Sequence, residues 1–136
     1  MEALEGIGEA EELGRGISSS KAARRLRNSR ARHYDFLPRA GVVEISVDRL
    51  SVAGLEQATA IADDRDRARD RTFYGWLVIV ASEAAREGRR VVASPLAGNP
   101  YHADIILPMH AAEDREEQAQ HAQELADSSF WRDAVR

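Results

Sequence analysis

The chain has 136 residues, no cysteine, 19 basic and 23 acidic side chains, and a formal net charge of −4. That length fits one domain, able to bury roughly two-thirds of its unfolded surface. The lack of cysteine excludes disulfides, thiolate metal sites and cysteine nucleophiles, and a lone lysine, Lys21, in no glycine-rich context excludes a P-loop.

Charge is unevenly distributed at the start. Residues 2–12 carry Glu2, Glu5, Glu9, Glu11 and Glu12 with no base. Acids stand where a secretory signal would be basic, which together with the missing apolar stretch predicts a cytoplasmic protein. Gly6, Gly8, Gly14 and Gly16 disfavour a helix and predict mobility before Ser18. The segment SSSKAARRLRNSRARH then holds Lys21, Arg24, Arg25, Arg27, Arg30 and Arg32 with no acid. A serine among 18–20 can cap a helix there, but Leu26 is its only large apolar residue, so the helix reads as a surface element. Residues 1–40 are thus expected to form a charged N-terminal arm, partly flexible or helical, ahead of a single globular domain over 41–136.

VVEISV at 42–47 alternates as a half-buried strand does. Ser51 is placed to cap a helix over roughly 52–68. Its end, DDRDRARDR at 63–71, reads as a solvated helix terminus with weak charge pairing. FYGWLVIVA at 73–81 is apolar almost throughout, too short to cross a bilayer and suited to a strand covered on both faces. SEAAREG offers a short helix stopped at Gly88. The stretches 90–94 and 102–107, separated by SPLAGNPYH, predict an antiparallel hairpin. A second main helix spans roughly 111–127, with acids early in it and with His110 and His121 read as solvated. Phe130 and Trp131 follow and are placed to pin the tail to the body. The fold class expected is α+β: a small mixed sheet of about four strands, two main helices and a polar N-terminal arm.

Two similar stretches carry the candidate chemistry: HYDFLP at 33–38 and HADIILP at 102–108. Residues two apart in a strand share a face, so His102 with Asp104, and His33 with Asp35, are placed side by side if both stretches are extended. Brought together, His102 and His33 would serve as acid and base in phosphodiester cleavage, and Asp104 and Asp35 would orient them or ligate a divalent metal. Otherwise no cofactor is implied. The bland alternative for each pair is a surface hydrogen bond. Ser94 lacks a nucleophile elbow and is not expected to be catalytic.

Three functions follow, in order. The first is a small interaction domain that meets a protein partner, or a second copy of itself, through its charged arm and the NPYH loop, with Asn99 and Tyr101 at the contact. The second is a small ribonuclease or phosphodiesterase that uses His102 and His33. The third is a non-catalytic nucleic-acid binder, in which Arg24, Arg25, Arg27, Arg30 and Arg32 take phosphates and Tyr34 stacks on a base.

Overall fold

The computed structural model describes residues 3–136. In chain order the elements are β1 (Leu4–Glu5), β2 (Glu12–Ile17), α1 (Ser20–Asn28), a 3-10 turn at His33–Asp35, β3 (Glu44–Arg49), α2 (Leu50–Ala53), α3 (Leu55–Ala68) and β4 (Gly75–Val80). There follow α4 (Ala81–Ala84), β5 (Arg90–Ala93), β6 (His102–Ile106), a second 3-10 turn at Met109–Ala111, α5 (Arg115–Asp127) and β7 (Phe130–Asp133). The strands form one sheet in the order β1-β5-β6-β3-β2-β4-β7. All neighbours are antiparallel except the parallel pair β1 and β5. Among the described residues no helix is long and apolar enough to cross a membrane.

The class is α+β as expected, but the predicted four-stranded sheet with two main helices is wrong. Among the described residues the sheet has seven strands, and the missed ones are β1, β2 and β7. β2 lies in the expected polar arm, yet it pairs with both β3 and β4, and its Leu13 is fully buried. The glycines that argued against order there have a packing reason. A Cβ at Gly14 would stand 2.5 Å from Cδ1 of Trp76 and 2.8 Å from Cδ1 of Leu50, so only glycine lets those side chains lie against the strand. α1 is not a loose surface helix either, since it buries Ala23 and Leu26.

The helix expected over 52–68 is broken at Gly54, whose φ of +82° suits glycine and separates α2 from α3. Ser51 does not cap α3; its Oγ accepts the Glu12 amide at 2.8 Å and so ties α2 to β2. The helix expected over 111–127 begins at Arg115, where the Asp114 carboxylate accepts the Glu117 amide at 3.0 Å. The predicted hairpin is present, with Val91 opposite Ile105 and Ala93 opposite Ala103.

Alternation along β4 sorts the core into two layers. Leu77 and Ile79 join Leu13, Ile45 and Ile105 on one face, covered by Leu26 of α1, Phe36 and Leu125 of α5. Trp76 and Val78 point the other way and pack with Leu50, Ala58, Ala62 and Phe73 under α2 and α3. Trp76 and Phe73 meet edge to face with ring centroids 4.7 Å apart. On β6 the same alternation buries Ala103 and Ile105 in the first layer and turns His102 and Asp104 toward the α3 side.

Candidate functional site

The α3 side of the sheet is not fully covered. α3 packs on Trp76 and Val78 of β4 and passes beside Gly16 of β2, and a cleft of about 1070 Å³ lies between it and the β5–β6 connection, a size at the upper end of ligand sites. Gly14, Arg15 and Gly16 of β2, Ser46 and Asp48 of β3, and His102 of β6 line its floor. One wall is the end of α3 with Arg65 and Asp66, continued by Arg69 and Arg71. Leu96 to Asn99 make the opposite wall, and Arg39 stands at the rim.

Arg15 alternates with Gly14 and Gly16, whose Cβ positions face the α3 side, so its side chain leaves β2 on the Leu13 face and contributes to the cleft lining where β2 and β3 part. β2 and β3 pair only at Leu13 with Arg49 and Gly14 with Asp48. Beyond that point the Ser46 carbonyl accepts a bond from Nη1 of Arg15 at 3.1 Å. No carboxylate pairs with Arg15 among the described residues. Burial destabilises its charged form, the like charge of Arg65 adds to this, and Asp35 offsets part of it, so its pKa falls below the ordinary arginine value. A guanidinium does not shed its proton in a protein. Arg15 therefore stays charged beside Arg65.

Arg65 is held beside it by the glycine at 16, where a Cβ would come within 3.3 Å of Nη2 of Arg65 and 3.2 Å of Phe73. Nε of Arg65 lies 3.5 Å from Asp66, whose buried carboxylate also receives the Ser18 hydroxyl. Asp64 pairs with Arg67, away from the cleft, at 3.1 Å. Arg39, Arg69 and Arg71 have no carboxylate partner among the described residues. Among the described residues five arginines thus face three aspartates, one of which, Asp64, is engaged by Arg67 outside the lining, and the cleft carries an excess of positive charge.

His102 is oriented from behind. Its Nδ1 lies 3.0 Å from the Ser94 carbonyl, which can only accept, so Nδ1 carries the proton and Nε2 is left with its lone pair. Oγ of Ser94 sits 2.9 Å from the same nitrogen and donates to Oδ2 of Asp104 at 2.8 Å. Serine, not histidine, is the middle member, so this is not the order that activates a serine nucleophile. Ser94 and Asp104 instead fix the tautomer of His102.

The two His-x-Asp stretches do not meet. His33 is exposed on the 3-10 turn, which packs beside α5 on the opposite face of the sheet from His102. Asp35 is taken by Arg25, through Nη2 at 2.5 Å and Nη1 at 3.1 Å, and by the Arg32 amide at 2.8 Å. Asp35 and Asp104 therefore share no metal site, and no group of three or more His, Asp or Glu among the described residues is disposed to hold a metal. Of the other candidates, Arg25 also lies over the Tyr34 ring at 4.8 Å, and Arg27 bonds Asp133 at 2.9 Å and covers Trp131. Arg24, Arg30 and Arg32 are exposed on the far side of the sheet from the cleft. Asn99 does belong to the cleft and donates to Oδ1 of Asp48 at 2.8 Å. Tyr101 is half-buried, and its carbonyl accepts the Arg49 amide at 2.9 Å.

Sequence reasoning missed Arg15, Asp48, Arg65 and Asp66. Gly-Arg-Gly in a strand was the available signal: two glycines let neighbours close in on one face while the arginine between them leaves on the other. A second polar cluster lies on α5. His121, read as solvated, is buried and accepts from Nη1 of the buried Arg89 at 3.0 Å, while Glu124 takes the same nitrogen at 2.7 Å. Desolvation, then Arg89, lowers the pKa of His121. With Nδ1 committed to Arg89, Nε2 carries the proton, so His121 is not disposed to ligate a metal.

The chain matches no protein-family model, no curated protein and no solved structure.

Proposed function

We propose that the cleft binds the phosphodiester backbone of a polynucleotide and that His102 transfers a proton during its cleavage, which makes the protein a small phosphodiesterase. The observation that carries this reading is the Arg15 guanidinium: half-buried, beside the like charge of Arg65 and, among the described residues, hydrogen-bonded to one backbone carbonyl alone. Such a charge is costly in the empty protein and is matched by a phosphate, whose oxygens take the fork of N–H donors that Arg15 leaves open. His102 supports catalysis over binding alone, because its held tautomer leaves one nitrogen for substrate at the cleft floor. The exposed rim arginines favour a polymer with flanking phosphates over a single small anion.

A partner-binding role through α1 and the NPYH loop has weaker support. Arg25 and Arg27 of α1 are engaged by Asp35 and Asp133, and α1 packs on the face of the sheet opposite the loop. His102→Gln tests the proposal. It should reduce cleavage of a labelled oligonucleotide by roughly 10²–10⁴-fold, the usual worth of a positioned acid or base, with binding and melting temperature unchanged. Undiminished cleavage by that variant, or no cleavage by the unaltered protein, refutes it.

A further inference from the structure

We propose that Asp48 is the second proton-transfer group of the cleft, and that the Asp48 and His102 couple makes the substrate RNA, cleaved by attack of its own 2′-hydroxyl. This rests on the phosphodiesterase reading given above.

Asp48 stands directly across from His102 in the β3–β6 ladder. The neighbouring pair is the hydrogen-bonded kind, since the Arg49 amide donates to the Tyr101 carbonyl at 2.9 Å, while the Tyr101 amide donates to Oδ1 of Asn99 at 3.2 Å. Alternation then makes Asp48 and His102 a pair without mutual backbone bonds, the closer kind, with Cα atoms about 4.5 Å apart and side chains on one face. That face is the cleft floor. Asp48 is only 7% exposed, an unusual setting for a carboxylate without a cation. Among the described residues its Oδ1 receives Asn99, and no donor reaches its other oxygen. An acceptor is thus held in the cleft beside a histidine whose Nε2 is open.

Two proton-transfer groups side by side, next to an arginine-lined phosphate site, suit transesterification. Asp48 accepts the 2′-hydroxyl proton as the 2′-oxygen forms its bond to phosphorus. The bond from phosphorus to the 5′-oxygen breaks, and His102, having taken a proton from water on its Nε2 lone pair while Nδ1–H stays on the Ser94 carbonyl, gives that proton to the leaving oxygen. Arg15 and Arg65 carry the charge that grows on the non-bridging oxygens. The products are a 2′,3′-cyclic phosphate and a 5′-hydroxyl, and proton exchange with water restores both side chains.

The bland role for Asp48 is to anchor the Leu96 to Asn99 loop through Asn99. Asp48→Asn separates the two, because the amide keeps an oxygen for Asn99 and loses the base. The full chain and this variant are given a ribo-oligonucleotide and its 2′-deoxy counterpart, with products read by mass and binding read on a 2′-O-methyl oligonucleotide. Cyclic-phosphate ends, an intact deoxy strand, and an Asp48→Asn rate reduced by roughly 10²–10⁴-fold with unchanged binding are expected. Cleavage of the deoxy strand as fast as of the RNA, or an unimpaired Asp48→Asn, overturns the inference and leaves the phosphodiesterase reading standing. Failure of the unaltered protein to cleave either strand overturns both.

Discussion

Replacing Arg15 by methionine separates a binding charge from a structural one. Methionine keeps the length of the stem and removes the guanidinium, so the strands lose the bond to the Ser46 carbonyl at 3.1 Å. Ser46 is exposed, and water can take over that carbonyl; the loss is a fraction of the roughly 1.5–3 kcal/mol of a charged hydrogen bond. Against it stands relief from the desolvation and from the Arg65 repulsion that destabilise this charge. The two effects oppose each other, and the net change in stability should stay within about 1 kcal/mol, or roughly 3–5 °C in melting temperature for a chain of this size. Binding should change far more. A 2′-O-methyl oligonucleotide at 100 times its Kd stabilises the unaltered protein by about 2.7 kcal/mol, roughly 8–14 °C. If Arg15 makes one charged phosphate contact worth roughly 1.5–3 kcal/mol, the affinity falls about 10–150-fold, and the same concentration then stabilises Arg15→Met by only roughly 0.3–1.3 kcal/mol. Thermal melts with and without the oligonucleotide read both effects at once. A variant that melts many degrees lower yet keeps its full ligand-induced shift would refute the argument, since Arg15 would then be a strut between β2 and β3.

The close approach of Trp76 and Leu50 to β2 predicts that Gly14→Ala, a single added methyl 2.5 Å from the indole, destabilises the fold by about 1–3 kcal/mol in denaturant unfolding; a neutral result would mean the two layers can shift freely. For His121, burial and Arg89 hold the folded pKa below the ordinary histidine value. The neutral ring is therefore stabilising above the unfolded pKa of about 6.5, and that contribution is lost as pH falls through the folded pKa. His121→Gln should flatten the stability profile between neutral and mildly acidic pH, and an unchanged slope would show that the ring titrates freely. Asp35→Asn, which removes the charge facing Arg25 from a nearly buried carboxylate, should cost more than the exposed pair change Asp64→Asn, and equal unfolding midpoints would contradict the burial argument.

How much of this could be read from the residues depended on whether the signal was local. VVEISV and FYGWLVIVA alternate or persist in apolar character, and both are strands; the 90–94 and 102–107 hairpin is announced by its turn residues. β2 was illegible because its two glycines are explained by Trp76, Leu50 and Phe73, residues far away in sequence, and no local rule reports that contact. β7 likewise exists because β4 offers an edge. In the site, His102 stood out by its spacing from Asp104, although the link between them runs through Ser94. Its match with His33 was an echo of sequence alone, since the sheet separates the two. Asp48 and Arg65 had no motif at all: one ends a strand, the other sits in a run of alternating charges that resembles any solvated helix end.

The central claim is that the anion site is the cleft and not the basic helix. Affinity for a 2′-O-methyl oligonucleotide, measured across a range of salt, reports the number of phosphates neutralised, with a slope near 0.7 per contact for a single strand. Arg15→Met and Arg65→Met should each lower that slope by about one contact, and a joint Arg24, Arg30 and Arg32 change to glutamine should leave it where it was. A slope unmoved by the cleft variants and reduced by the helix variants would contradict the account.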